Sequence, residues 1–184
     1  MLKEEKLDIN KHIYIVGDFR NREQIMEDYI KSDAFREETY NDVDIYLVFE
    51  NGIFVGYYGI KDKVIYVDDR NGRETEIRCV ELECIAVDIN YVRQGIGTEI
   101  FYRFILPKCV ERNKETKDRL LVLFTLSKES TEFYNSINFR KVIEEENYRK
   151  YIILPDNFTV GLEPMVYKLP TKEEFENFYY ENLI

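Results

Sequence analysis

The chain has a single histidine, His12, no tryptophan, and only 4 prolines, 8 glycines and 3 cysteines among its 184 residues. One histidine excludes a His-rich metal centre. Any Ser-His-Asp or Cys-His device would have to use a residue that falls in a predicted first strand, where packing or exposure is its ordinary role. Three cysteines cannot all pair. Cys79 and Cys84, five residues apart, fall on opposite faces of a strand and not at chelating spacing, so all three read as reduced, mostly buried thiols. The scarcity of proline and glycine excludes a collagen-like or low-complexity chain. No apolar run approaches the roughly 18 residues of a membrane span, and the start, Met1 to Lys6, lacks the apolar stretch of a signal peptide, which predicts a cytoplasmic protein with no membrane partner. The acidic stretch Asp68–Gly72 has the composition of a calcium loop. Arg70 stands at its third position, however, and Cys79 at its twelfth where glutamate is needed, so it reads as a turn and no metal is expected.

What is present is an ordinary globular composition. At 45% hydrophobic and 15% aromatic residues, the chain has enough apolar surface for one compact core, and its length predicts a single domain over residues 1–184. The formal charge of -10 makes nucleic acid a poor default partner, because the summed field repels phosphate backbones. The same field attracts amines and other cations, although acidic surfaces most often serve solubility.

Hydrophobic spacing predicts a short strand at His12–Val16, a helix from Arg22 to about Ser32 carrying Ile25, Met26, Tyr29 and Ile30, and a second short helix near Asp33–Thr39. Asp44–Glu50 and Ile53–Ile60 are rich in β-branched and aromatic residues and are joined by Asn51-Gly52, a strong hairpin signal. Lys63–Val67 continues the sheet before the turn at Asp68–Gly72. Ile77–Val87 then reads as a long strand, with Val80, Leu82, Cys84 and Ala86 on one face and Glu81, Glu83, Ile85 and Val87 on the other. A helix over about 97–112 follows, which Pro107 should kink or shorten. Leu120–Leu126 is a buried strand, Ser127–Ser136 a helix, and Phe139–Ile143, Tyr151–Leu154 and Met165–Leu169 further strands. Thr171–Glu174 is a capping box for a terminal helix to about Leu183, within the last segment, 170–184.

The chemistry concentrates after the long strand. A strand, then Gly95 and Gly97, then a helix places unpaired N–H groups at the positive end of a helix dipole, a site for an anion. A dinucleotide-binding site fits poorly, because its third glycine would fall at Ile100 and a hairpin precedes the motif. The stretches Ile85–Thr98 and Thr131–Phe139 closely resemble two motifs of the GNAT superfamily of acyl-CoA N-acyltransferases: its strand and pyrophosphate loop, Arg/Gln-x-x-Gly-x-Gly/Ala, and its Phe-Tyr-x-x-x-Gly-Phe helix and strand. The likeness covers about residues 44–144 and implies an α+β, three-layer fold, with a mixed, mostly antiparallel central sheet of six to seven strands flanked by helices. Three positions depart from the pattern: Val92 for the first Arg/Gln, Asn138 for the glycine before Phe139, and Ser127 where many members have asparagine.

The resemblance implies direct attack of an amine on the thioester of acetyl-CoA. Backbone groups near Ile85, Ala86 and Val87 would hold the acetyl carbonyl, and pantetheine would run between strands 79–87 and 120–126. The loop of Arg93, Gln94, Gly95, Ile96, Gly97 and Thr98 would take the diphosphate, with Ser127 also on the coenzyme. Glu81 or Glu83 would act as base, parity supporting both equally, and Tyr134 would protonate the leaving thiolate, since a phenol of ordinary pKa near 10 is protonated at neutral pH. Each has a plain alternative: solvated edge carboxylates, a packed aromatic and an ordinary tight turn. The acceptor is a small-molecule or peptide amine, and the acidic residues Glu23, Glu27, Asp28, Glu37 and Glu38 hint at a cationic one. Two other readings stay open: a toxin that acetylates aminoacyl-tRNA, and a non-catalytic acyl-CoA sensor. A homodimer through the late strands is compatible with each.

Overall fold

The computed structural model describes residues 1–40, 43–68, 74–116, 119–142 and 163–182. Seven strands run in the hydrogen-bonded order β1-β2-β3-β4-β5-β7-β6. They are β1 (Leu2–Lys6), β2 (Asp44–Glu50), β3 (Ile53–Asp68), β4 (Glu74–Val87), β5 (Leu120–Thr125), β6 (Arg140–Lys141) and β7 (Glu163–Lys168). The sheet is mixed. β1–β2, β2–β3, β5–β7 and β6–β7 are antiparallel, while β4 and β5 run parallel through the pairs Val80–Leu121 and Glu81–Val122. The helices are α1 (Ile9–His12), α2 (Gln24–Asp28), α3 (Ala34–Tyr40), α4 (Ile96–Ile100), α5 (Leu106–Arg112), α6 (Lys128–Ser136) and α7 (Lys172–Asn182). The chain folds as two compact units, Met1–Lys61 with Leu82–Pro107, and Asp62–Glu81 with Lys108–Ile184.

In the first unit the hairpin forms as its sequence requires: Asn51 (φ 51°) and Gly52 (φ 83°) both take the left-handed conformation that a tight turn between twisted strands needs. The β2–β3 register slips by one residue between Val48 and Phe49, leaving Val55 as an extra residue. The core gathers Leu7, Phe19, Ile30, Ile45, Leu47 and Tyr57. Each such side chain contributes roughly 1.5–3 kcal/mol of transfer free energy on burial. Gly56 is required by contact, because a Cβ there would stand 2.6 Å from the Ala86 carbonyl oxygen.

The predicted strand at 12–16 does not form. The edge strand is Leu2–Lys6, and His12 ends α1, which is capped by Asp8, whose side chain accepts from the Asn10 N–H. Ile13, Tyr14 and Ile15 are 46, 90 and 40% exposed, so their apolar run signals no burial. His12 itself is 2% exposed. Its Nδ1 accepts from the Asp8 N–H at 3.0 Å and its Nε2 faces Glu5 Oε2 at 3.4 Å.

The two predicted helices over residues 22–39 are one helical stretch. A π turn over Tyr29–Asp33, closed by the Ala34 N–H on the Tyr29 carbonyl, joins α2 to α3. A second π turn, Phe101–Ile105, joins α4 to α5, so Pro107 does not end that helix. Proline offers no N–H to the carbonyl four residues back and its ring crowds that turn. The wide turn directly before it absorbs the misfit and the helix runs on to Arg112.

The second unit packs Ile65, Ile77, Cys79, Leu120, Val122 and Val166. β5 is buried along Leu120–Leu123, as its continuous apolar run demands. The predicted strand at 139–143 is shorter, at Arg140–Lys141, and α7 starts with the expected reciprocal cap: Glu174 N–H to Thr171 Oγ1 at 3.0 Å and Thr171 N–H to Glu174 Oε2 at 2.7 Å. The turn at 68–72, apart from Asp68, and the strand at 151–154 lie outside the described residues. All three cysteines are free and buried. Along β4 the alternation breaks: Cys79, Val80, Glu81 and Leu82 are buried in succession, so Cys79 and Cys84 are both interior despite their odd spacing.

Candidate active site

The anion-binding loop belongs to the first unit. β4 ends with Ala86 buried and Ile85 and Val87 half-buried. Asp88 then fixes the departure of the chain: its carboxylate accepts from the Arg20 N–H (2.9 Å), the Asn90 N–H (3.0 Å) and Asn90 Nδ2 (2.9 Å), while its own N–H donates to Val55. Asn21 donates from Nδ2 to the Val87 carbonyl at 2.9 Å, clamping the end of the strand. Gln94 returns its amide to the Asn90 carbonyl at 3.1 Å. Asn21 and Asp88 escaped the sequence reading. The Asp88-Ile-Asn90 spacing is an Asx-turn signal that would have pointed to one of them.

Beyond this clamp Arg93 takes φ 62° and Gly95 φ 81°, and Gly95 is the N-cap of α4. A glycine cap has no side chain to satisfy the first turn, so the N–H groups of Ile96, Gly97 and Thr98 have no intrahelical acceptor and point along the positive end of the helix. Arg93, Gln94, Gly95 and Thr98 are exposed, Gly97 and Val92 half-buried, and Ile96 buried in support. Donors, a guanidinium and an open glycine can take a diphosphate. A side chain at position 92 is not needed for any of the backbone donors.

The candidate carboxylates are both ion-paired. Glu83 pairs with Lys61 in the first unit, and Glu81 with Lys63 at 3.1 Å in the second. Glu81 is buried whereas Glu83 is exposed. The acidity expected of the first helices is partly offset as well. Glu27 meets Lys31 (2.6 Å) and Arg20 (3.3 Å), and Glu38 meets Lys6 (3.1 Å). A cavity of about 730 Å³ is lined by Glu5, Lys6, Asp8, Phe35 and Glu38 among others and contains none of the candidate catalytic or coenzyme-binding residues, although Glu38 is one of the acidic residues of the first helices.

In the second unit Tyr134 is 7% exposed on α6, with its ring edge-on to Phe139 at 5.5 Å and tilted against Phe133 at 5.2 Å. The helix ends in a Schellman turn: the Phe139 N–H reaches the Tyr134 carbonyl at 3.0 Å and the Asn138 N–H the Asn135 carbonyl at 3.2 Å. Asn138 carries φ 72° there, which asparagine tolerates better than other side chains, so the departure from glycine leaves the turn intact. Ser127 is the N-cap of α6, accepting from the Ser130 N–H at 3.2 Å. It also borders a cavity of about 270 Å³ with Thr125, Lys128, Thr131, Lys141 and Glu163. Among the described residues no group of three metal-ligating side chains converges, and no helix is long and apolar enough to cross a membrane.

A strand clamped at its end, a glycine-capped helix with open N–H groups and a mixed seven-stranded sheet fit the acyl-coenzyme-binding class of protein. Residues 8–156 match the family described as an acetyltransferase (GNAT) domain. The chain belongs to that family and is an acetyl-CoA-dependent acetyltransferase. No curated protein matches the sequence. Solved structures share its fold at low identity. One is a mutant of the AtaT toxin bound to the C-terminus of the antitoxin AtaR and acetyl-CoA (TM-score 0.71, 16% identity, 97% of this chain and 98% of that one). A second is a KacTA–DNA complex (0.71, 16%, 99% and 100%). A third is AtaT with acetyl-methionyl-tRNAfMet (0.69, 16%, 97% and 99%). The expectation that nucleic acid plays no part finds no support among these relatives of the fold.

Proposed function

We propose that the chain transfers the acetyl group of acetyl-CoA to a primary amine of a small molecule or peptide, by direct attack within a ternary complex. The observation that carries this reading is the Gly95-capped helix, whose first N–H groups stand open beside Arg93. They neutralise the coenzyme diphosphate, and Ile85, Ala86 and Val87 present backbone groups to the acetyl carbonyl. A β4 carboxylate, Glu81 or Glu83, takes a proton from the ammonium. The freed nitrogen attacks the thioester carbon and the C–N bond forms; the C–S bond breaks as Tyr134 protonates the thiolate, and the second proton shed by the nitrogen returns through water to the Tyr134 phenolate. Ser127 steadies the start of α6 beside the coenzyme. The protein acts in the cytoplasm.

The test is free-thiol release from acetyl-CoA against polyamines, aminoglycosides, amino acids and lysine peptides, beside calorimetric titration of the coenzyme. Turnover with any of these amines supports the reading. Coenzyme binding without turnover moves it to a macromolecular acceptor, and no binding defeats it. Tyr134→Phe lowers kcat by about 10²-fold, the low end of general acid–base contributions, and leaves acetyl-CoA affinity unchanged. Full activity in that variant overturns the acid assignment.

A second reading, acetylation of aminoacyl-tRNA, is favoured by the toxin structures whose fold runs along 97–99% of this chain. By the same analogy an antitoxin-like protein and its DNA would be partners. The charge of -10 weighs against this reading. Charged tRNA in the same thiol assay, together with growth arrest on expression, separates the two.

A further inference from the structure

We propose that Glu83, not Glu81, is the base, and that Lys61 is its positioning residue. The proposal rests on the acetyltransferase reading above. Lys61 and Lys63 stand two residues apart on one face of β3, and each meets a glutamate of β4, Glu83 and Glu81, at the same two-residue step. The two pairs are alike in chemistry and differ in access to water. Glu81 is 5% exposed as a residue, and its carboxylate and Lys63 are 6 and 27% exposed as side chains. A proton on Glu81 would uncover the Lys63 charge in a largely dry place and has no short route out. The Glu83 and Lys61 side chains are 27 and 23% exposed, open enough to exchange protons with water or an incoming ammonium.

Position also favours Glu83. It lies two residues nearer than Glu81 to the clamped end of β4 and the Gly95–Thr98 loop that follows. It shares a strand face with Ile85 and Val87, four residues before the carbonyl that Asn21 holds. Lys61 of β3 is the ion-pair partner of Glu83; Cys84, next to it on the strand, turns to the opposite face, and Tyr29 stands near enough to interact with both. The Tyr29 hydroxyl is buried on the π turn, and burial first, then Cys84, Glu83 and Glu37, push its pKa far up. It stays protonated and does not compete for the amine proton. Lys61 therefore supplies the cationic contact in this group. Its ammonium holds the Glu83 carboxylate in one orientation, so the base meets the acceptor already aimed.

The experiment uses the purified full chain with the acceptor, amine or charged tRNA, that gives the fastest wild-type thiol release, and a melting curve for every variant. Glu83→Gln lowers kcat by about 10²-fold and Lys61→Met by about 10-fold, with KM for acetyl-CoA within about twofold, whereas Lys61→Arg restores most of the loss. Lys63→Met lowers the melting temperature and leaves kcat within about threefold. If Lys61→Met does not fold, Lys61→Gln replaces it. Full kcat in Lys61→Met, no rescue by Lys61→Arg, or a larger loss in Glu81→Gln than in Glu83→Gln overturns the proposal and leaves the acetyltransferase reading standing. Absence of wild-type turnover with every acceptor defeats that reading, and this one with it.

Discussion

At Gly95 the backbone, not space, decides what the position accepts: φ is 81° and nothing lies within 4 Å of where a Cβ would stand. Gly95→Ala therefore costs about 1–2 kcal/mol of stability, the usual left-handed penalty, and Gly95→Asn less. Equal losses for the two variants in urea unfolding would show that something other than φ is at stake. The cysteines respond first to burial. Desolvation pushes the Cys79 thiol up to about 12 and those of Cys84 and Cys109 higher still, leaving almost no thiolate at neutral pH. A thiol reagent at pH 8 is expected to find no reactive cysteine in the native chain and all three in the denatured one. Rapid labelling of the native protein would contradict the burial of these groups.

At the scale of elements, α6 depends on its ends. Ser127 and Ser130 cap one, and the Asn138 turn closes the other. Ser127→Ala lowers stability by about 1 kcal/mol, and Ser127→Asn, which keeps an acceptor at the cap, restores it; thermal unfolding distinguishes them. Caps, the Asn51-Gly52 hairpin and the glycine loop were legible because one or two residues determine them through local geometry. β1 was not: four of its five residues are charged, and only Leu2 turns inward, so an edge strand shows no apolar alternation. The run Ile13–Ile15 misled for the opposite reason, being apolar yet exposed. Neither π turn was visible, since one additional residue in a helix alters spacing less than the 3.6-residue pattern resolves. Of the site, the residue types of the loop and of Tyr134 were readable from motif. The Asp88 clamp and the two Lys–Glu pairs join positions roughly 20–70 residues apart along the chain and needed the fold.

For the molecule as a whole, acid is the telling variable. Hydrogen bonds from His12 and Lys11 hold the Glu5 carboxyl below its ordinary range, Lys31 does so for Glu27, Lys114 for Glu111, and the Thr171 N–H for Glu174. A carboxyl lowered in the folded state contributes stability above its unfolded value, roughly 4.3, and loses it as pH falls further through the folded value. Melting temperature is thus expected to hold from pH 7 to about 5 and to fall below about 4.3, more shallowly in high salt because Glu5, Glu111 and Glu174 are exposed. A flat profile down to pH 3 would show that the pairs contribute nothing. The division into units bears on synthesis as well. Because each unit is assembled from two separate stretches of chain, neither can be made as one uninterrupted fragment. On the ribosome the first is complete once Pro107 has emerged, while β5 must wait with an open edge until its partner β7 arrives at Glu163–Lys168. For that interval the nascent chain carries an apolar strand in search of a neighbour, which makes translation, and not the finished protein, its period of greatest exposure to misassembly.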